Sequence, residues 1–198
     1  SRKHNETCVE WTPDLARLGD PGTFMEDVCR WFSFNASLCA PPAVKVYFNG
    51  ELVKLRSVEH FCRALGGTTP LATDTVEREG RTLLRLCVAA RDTEAVPDGA
   101  AASAAPGLTY AFVNGTPCNE GSHARYLFSK IGDILQTKAK SRRGGAKDLH
   151  ATASFLQAHT VTVAVLYVER ERFTDQRKRC LDAPLKDWGW RWEPSESF

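Results

Sequence analysis

The segment Thr160-Val-Thr-Val-Ala-Val-Leu-Tyr-Val168 decides the fold class of this chain. Its odd-numbered positions from Val161 to Tyr167 form one apolar face of an extended strand, and Ala164, Leu166 and Val168 form the other. A strand that is apolar on both faces is typical of the centre of a sheet covered by helices. We therefore expect this strand to lie centrally.

Helices and strand pairs precede this strand along the chain. Apolar periodicity and capping residues predict helices around 24–32, over 57–65, from 122 to the glycines at 144–145, and around 147–158. Strands are predicted over 7–12, 43–48, 51–55, 73–77, 81–90 and 108–113, with hairpin turns at Asn49-Gly50 and Glu79-Gly80 and a surface loop over 98–107. This order predicts an α+β sheet with its helices packed to one side.

The composition fits a globular unit. A chain of 198 residues that is 42% hydrophobic can bury a core without disulfides or metal. The 26 basic and 24 acidic residues exclude a generally basic nucleic-acid binder, so any DNA contact is expected to be local. Seven cysteines without a Cys-x-x-Cys pair indicate a reduced intracellular compartment and no metal site, and the absence of a long apolar span predicts no membrane partner.

A basic loop, Phe173-Thr-Asp-Gln-Arg-Lys-Arg-Cys-Leu181, follows the central strand. Such a charge run is ordinarily a solvated turn. A lysine fixed in a loop after a strand can also hold its cation toward a phosphate. Gln176 and Lys178 are the candidates for this contact.

Five segments, in the same order, resemble the transducer domain of type IIA DNA topoisomerases. Phe173 and Gln176-Arg-Lys178 stand where that family has Phe-x-x-Gln-Thr-Lys, with Arg177 in place of the family's Thr. The other matching segments are Val9-Glu-Trp-Thr-Pro-Asp-Leu15, Val44-Lys-Val-Tyr-Phe-Asn-Gly50, Tyr110-Ala-Phe-Val-Asn-Gly115 with the shortened turn Glu120-Gly-Ser-His123, and Leu185-Lys-Asp-Trp-Gly189. The resemblance covers nearly the whole chain.

For the fold, the resemblance implies a ribosomal protein S5 domain 2-like sheet and a single transducer domain over residues 1–198. The chain opens on Ser1 and has neither a Gly-x-x-x-x-Gly-Lys loop nor the Asn and Asp-x-Gly motifs of the family's ATP-binding domain. We therefore expect a fragment without the ATP-binding domain and the DNA cleavage core. The implied parent is a homodimeric enzyme of the nucleus or, alternatively, of the mitochondrion.

For the site, the resemblance implies that Lys178 reaches the ATP site of the preceding domain and contacts the terminal phosphate beside Gln176. Lys178 would be catalytic, and both residues would bind the nucleotide. ATP and Mg²⁺ are expected in the full-length enzyme, whereas the fragment alone is expected to bind neither and to be inactive. The implied function is to couple ATP binding and hydrolysis to gate closure and DNA strand passage.

The basic segment Lys138-Ala-Lys-Ser-Arg-Arg-Gly-Gly-Ala-Lys147 is a second candidate site. Cations also favour a helix C-terminus, so a solvated helix end is the alternative. The family has a Lys-rich stretch here that faces the cavity through which duplex DNA passes. The predicted phosphate contacts, independent of base sequence, are Lys138, Lys140, Arg142, Arg143 and Lys147.

Four other side chains could have a catalytic or base-stacking role, but their sequence context predicts a structural role. His123 has no accompanying nucleophile pattern, and Ser122 predicts a capped helix start instead. Trp188, Trp190 and Trp192 alternate along one face, which favours packing over base stacking.

Two other functions remain open at this point. One is an S5-like nucleic-acid-binding module without ATPase linkage. The other is a small-molecule kinase of the same fold, which would need a glycine-rich phosphate loop that Glu120-Gly-Ser-His123 poorly supplies.

Overall fold

The structure, a computed structural model, describes residues 8–10, 12, 14, 17, 23–41, 43–91, 108–141 and 151–198. Within these ranges the elements are α1 (Thr23–Cys39), β1 (Tyr47–Phe48), β2 (Glu51–Leu52), α2 (Val58–Ala64), β3 (Gly67–Arg78), β4 (Arg81–Arg91), β5 (Leu108–Val113), β6 (Thr116–Pro117), β7 (Glu120–Gly121), α3 (Ser122–Ser141), α4 (Ala153–His159), β8 (Thr160–Leu166), β9 (Cys180–Leu181) and a 3-10 helix over Leu185–Asp187.

Several predictions fall wholly or partly outside the described residues, among them residues 142–145 at the end of the helix predicted from 122. Residues 8–10 and 12 of the strand predicted over 7–12 are described and are not in a strand. The loop predicted over 98–107 lies outside the described residues, as do residues 147–150 of the helix predicted around 147–158.

The main sheet has five strands in the order β3-β4-β8-β5-β6. β8 lies in the middle, antiparallel to β4 and parallel to β5. Its side chains are buried or half-buried along the whole strand, which confirms the prediction that segment 160–168 forms a central strand, although the strand ends at Leu166. A parallel partner on one side requires a crossover, and α3 and α4 lie in the chain between β5 and β8.

The helices cover both faces of the sheet, which corrects the prediction that they pack to one side. One apolar cluster joins α3 and α4 to the sheet through Leu127, Phe128, Leu156, Leu84, Leu86 and Leu166. A second cluster joins α1 and α2 to the opposite face through Leu38, Phe61, Cys87, Phe112 and Val163. The physical reason is that β4, β5 and β8 alternate apolar residues on both faces, so each face needs its own cover.

Two-residue turns close the hairpins where the sequence predicts them. Asn49 and Gly50 have φ of 48° and 80°, and Glu79 and Gly80 have φ of 52° and 74°. Positive φ at both central residues is the geometry that matches the twist of the adjoining strands. The first hairpin is shorter than predicted and mostly exposed, and its strands β1 and β2 form a two-stranded sheet separate from the main one.

The three C-terminal tryptophans belong to the core. Trp188 and Trp192 are fully buried and Trp190 is 7% exposed. Their indole N–H groups donate to the carbonyl oxygens of Ala183 and Tyr167 and to the Asp74 carboxylate, in that order. Buried rings with satisfied donors confirm the packing interpretation and exclude base stacking by these residues.

The described part of the chain contains neither a membrane-spanning helix nor a cluster of metal-binding side chains. None of its helices is long and apolar enough to cross a membrane. Its His, Cys, Asp and Glu side chains form no group of three or more that could hold a metal ion. All seven cysteines are free thiols.

A candidate phosphate-contact loop

Loop 173–181 follows β8 after the connecting residues 167–172 and is fixed at its base by backbone pairing. Phe173 forms an antiparallel bridge with Leu181, and the Thr174 amide donates to the Cys180 carbonyl oxygen at 3.1 Å. On the far side, β9 runs parallel to β7, with Gly121 opposite Leu181. Only the tip of the loop, from Asp175 to Arg179, therefore projects beyond this pairing.

Lys178 lies in that tip in a left-handed conformation with φ of 56°, which is uncommon for a residue other than glycine. Its amide donates to the Asp175 carbonyl oxygen at 3.2 Å and closes a turn. Its ammonium lies 3.8 Å from the Glu171 carboxylate and 5.3 Å from the centre of the Phe173 ring. The side chain stays 48% exposed, so a ligand can reach it.

Gln176 is exposed in the same turn. Arg177 and Arg179 face a different side of the loop, where they line a cavity of about 450 Å³ with Thr116, Pro117, Asn119 and Glu120. The structure thus brings Gln176 and Lys178 into one exposed turn, as predicted. Their contact with a nucleotide stays a prediction.

Asn114 supports the segment that precedes loop 173–181, a role that the sequence prediction did not include. Its side chain accepts from the Val168 amide and donates to the Val168 carbonyl oxygen, each at 2.9 Å. It also donates to the Glu171 carboxylate at 2.5 Å. The available signal was the Asn114-Gly115 pair, whose φ values of 50° and 80° form a tight turn beside the end of β8.

The cysteine before β7 fixes the other side of the loop. The Cys118 thiol lies 3.3 Å from the Arg179 carbonyl oxygen and 3.5 Å from the Glu120 carbonyl oxygen. Burial raises the pKa of this thiol to about 11, which keeps it protonated and able to donate at neutral pH. Cys118 therefore contributes to holding Arg179 and the end of the loop.

The start of α3 is also tied to the chain after the loop. Ser122 is the first residue of the helix, and its hydroxyl donates to the Ala183 carbonyl oxygen at 2.7 Å. The predicted role of Ser122 as a helix cap is thus replaced by a contact between two segments.

His123 is buried in the first turn of α3 and is not placed as a catalytic base. Its Nε2 lies 2.7 Å from the Cys118 carbonyl oxygen, and its Nδ1 has no partner among the described residues. Burial lowers the pKa of the imidazole to about 4, so the ring is neutral at pH 7. This fits the predicted structural role at the helix start.

This buried imidazole makes stability depend on pH. Between its usual pKa near 6.5 and its folded pKa of about 4, the unfolded state binds the proton and the folded state does not. Stability therefore falls as the pH drops, by about 2 kcal/mol between pH 7 and pH 5. Urea unfolding at several pH values measures this slope. The variant His123→Gln should show a flatter slope, even if it is less stable at pH 7.

The basic segment is only partly described. Lys138 and Lys140 are exposed in the last turn of α3, whereas Arg142, Arg143 and Lys147 lie outside the described residues. Because α3 has 20 residues and rises about 1.5 Å per residue, its two ends are about 30 Å apart. The structure therefore does not bring Lys138 and Lys178 together, and the two candidate sites lie near opposite ends of one helix.

No protein-family model matches the sequence, and no curated protein matches it. Solved structures do match. The ATPase region of Saccharomyces cerevisiae topoisomerase II is 20% identical with a TM-score of 0.65, and the match covers 92% of this chain and 43% of that chain. The same region bound to ICRF-187 (dexrazoxane) is 19% identical with a TM-score of 0.65 and the same coverage.

The ATPase and transducer domains of DNA topoisomerase II from Balamuthia mandrillaris are 18% identical with a TM-score of 0.67, and the match covers 94% of this chain and 43% of that chain. This chain thus spans less than half the length of the solved chains that it matches. The predicted resemblance and the α+β class are confirmed at the level of the fold. The fold of this chain is that of a part of the ATPase and transducer region of type II DNA topoisomerases.

Proposed function

We propose that this chain is the transducer module of an ATP-dependent type IIA DNA topoisomerase. In this role it couples ATP binding and hydrolysis in a preceding domain to gate closure and DNA strand passage. The observation that carries the proposal is the exposed Lys178 at the tip of a loop fixed on both sides, in a chain with the type II topoisomerase fold.

In this proposal the ammonium of Lys178 contacts the terminal phosphate of ATP, and the Gln176 amide donates beside it. Both side chains are exposed in one turn, which fits a contact with a ligand held by another domain. Phosphoryl transfer builds negative charge on the phosphate oxygens, and a fixed cation stabilises it. Mg²⁺, like the rest of the nucleotide, would be held by the preceding domain.

The base of the loop supplies a path for coupling. Leu181 pairs with Gly121, and Ala183 accepts from Ser122, so both contacts meet at the start of α3. A change in the position of Lys178 would shift this base and, with it, the helix. At the other end of α3, Lys138 and Lys140 would contact the phosphates of duplex DNA.

The DNA contact predicts a change in salt dependence. If Lys138 and Lys140 each neutralise one phosphate, the slope of log affinity against log salt falls by about 0.9 for each Lys→Ala substitution. Fluorescence anisotropy with a labelled duplex at several salt concentrations measures this slope. Lys54→Ala removes an equally exposed cation after β2 and should leave the slope unchanged. Equal slopes in all variants would make Lys138 and Lys140 a solvated helix end.

The proposal includes the partners of the complete enzyme. These are the ATP-binding domain of the same chain, duplex DNA and a second copy in a homodimer, with the nucleus as its location. The 198-residue chain alone should then be inactive, because the nucleotide site lies in the other domain.

Steady-state ATP hydrolysis by the complete protein, with and without duplex DNA, tests the proposal. A coupled transducer predicts that DNA stimulates hydrolysis and that hydrolysis depends on Lys178. A nucleic-acid-binding module without ATPase linkage predicts DNA affinity and no such dependence.

A further inference from the structure

Glu171 lies between a rigid support and the candidate phosphate ligand Lys178. One of its carboxylate oxygens is 2.5 Å from the Asn114 side-chain nitrogen, and the other is 3.8 Å from the Lys178 ammonium. The two oxygens thus serve two partners on different elements. Among the described residues, Glu171 is the carboxylate that pairs with this lysine.

Asn114 fixes the position of that carboxylate. Its own side chain is held by two hydrogen bonds to Val168, and its amide donates to the Leu166 carbonyl oxygen at 2.9 Å. Leu166 and Val168 are both buried in the core. The carboxylate is therefore anchored to the end of the central strand, whereas Lys178 is anchored to a loop tip.

The ammonium also lies over the Phe173 ring, at 5.3 Å from its centre. A cation over an aromatic face gains a further weak attraction. The Glu171 carboxylate and the Phe173 ring together hold the Lys178 ammonium near the base of the loop, rather than beyond its tip. An ammonium in this position has to leave Glu171 before it can pair closely with a phosphate.

We propose that Glu171 is a positioning residue, which holds Lys178 in this resting position and competes with the terminal phosphate of ATP for it. The inference rests on the proposed function of Lys178. The competition is weak enough to be reversible, since the side chains of Lys178 and Glu171 are 48% and 34% exposed and water screens the pair. A terminal phosphate carries more negative charge than a carboxylate and would replace it.

The substitution Glu171→Gln removes the charge and keeps the shape. The Gln side-chain oxygen can still accept from Asn114, so the support of the loop is retained. Glu169→Gln is the matched control, because it removes the same charge two residues away, where the carboxylate lies against Gly189. Lys178→Ala reports on the proposed function itself.

Two measurements on the complete protein test the inference. The first is the affinity for a non-hydrolysable ATP analogue and for ADP. Glu171→Gln should bind the analogue about two- to fivefold more tightly and ADP unchanged, because ADP lacks the phosphate for which the carboxylate competes. The second is the acylation rate of Lys178 without nucleotide, followed by mass spectrometry relative to Lys186. It should rise in Glu171→Gln and not in Glu169→Gln, because the carboxylate no longer holds the amine against the ring.

The results distinguish a failure of the proposed competition by Glu171 from a failure of the proposed function of Lys178. Unchanged or weaker analogue binding in Glu171→Gln, with a loss of ATP turnover in Lys178→Ala, overturns the competition and leaves the proposed function intact. An unchanged acylation rate overturns the resting contact. A faster acylation rate in Glu171→Gln, together with unaltered ATP turnover in Lys178→Ala, overturns the proposed function and the competition, while the contact between the two side chains stands.

Discussion

Replacing Lys178 by Ala should lower the ATP turnover of the complete protein by about tenfold or more, with little change in the affinity for ATP. A charge-assisted contact to the transferring phosphate is worth about 1.5–3 kcal/mol, and each 1.4 kcal/mol realised only in the transition state is about a factor of ten in rate. The remaining contacts to the nucleotide belong to the preceding domain, so binding is expected to persist.

Steady-state hydrolysis at saturating ATP, with and without duplex DNA, gives kcat, and a titration with ATP gives KM. A drop in kcat without a rise in KM places the interaction in the transition state. Lys186→Ala is a suitable control, because Lys186 is also exposed and lies in the 3-10 helix rather than in loop 173–181. Circular dichroism would verify that both variants are folded.

Unchanged hydrolysis in Lys178→Ala would contradict the phosphate contact and make loop 173–181 a solvated turn. A rise in KM alone would contradict the catalytic role of Lys178, because the contact would then be equally strong in the ground state and in the transition state. The S5-like nucleic-acid-binding module would become the better explanation of this chain.

The parts of the fold that sequence predicts well are those with local causes. The apolar pattern of residues 160–168 indicated the central strand, and Asn49-Gly50 and Glu79-Gly80 indicated two turns. Each signal lies within a few residues, because strand periodicity and positive φ are properties of a short segment.

The helices on both faces of the sheet differ from the predicted one-sided packing, although the sequence contains a signal for them. The same segment that is apolar on both faces requires a layer on each, and α2 with Phe61 provides the second layer. The order of helices and strands along the chain predicts one-sided packing, but this order does not determine on which face of the sheet each helix packs.

Apart from the Asn114-Gly115 turn, the residues that support the candidate site have no local signal in the sequence. Asn114 and Glu171 are 57 residues apart, and β7 pairs with β9 over only two residues in each strand. Such short pairs show no periodicity, and their partners are chosen by the packing of α3 and β8 around them. The sequence therefore indicated Gln176 and Lys178 through a family resemblance but did not indicate the residues that hold them.

Gly121→Ala should be strongly destabilising, at about 3 kcal/mol or more, because the pairing of β7 with β9 has no room for a side chain. Gly121 has φ of 119°, a conformation that residues with a side chain rarely adopt. A Cβ atom there would lie 2.5 Å from the Leu181 amide nitrogen and 2.8 Å from its carbonyl carbon. Both are backbone atoms that cannot turn away, so strain and overlap add.

Gly115→Ala is the matched control for this substitution. Gly115 also has a positive φ, of 80°, but nothing lies within 4 Å of the position its Cβ would occupy. The Gly115→Ala variant should lose only about 1 kcal/mol of stability, from backbone strain alone.

Thermal unfolding followed by tryptophan fluorescence compares the stability of the Gly121→Ala and Gly115→Ala variants, since Trp188 and Trp192 are buried. For a chain of this size, 3 kcal/mol corresponds to a fall in Tm of about 6–12 °C. Similar losses in both variants would mean that the close approach of Gly121 to Leu181 contributes nothing. A specific loss in Gly121→Ala, accompanied by lower ATP turnover in the complete protein, would link this pairing to the position of Lys178.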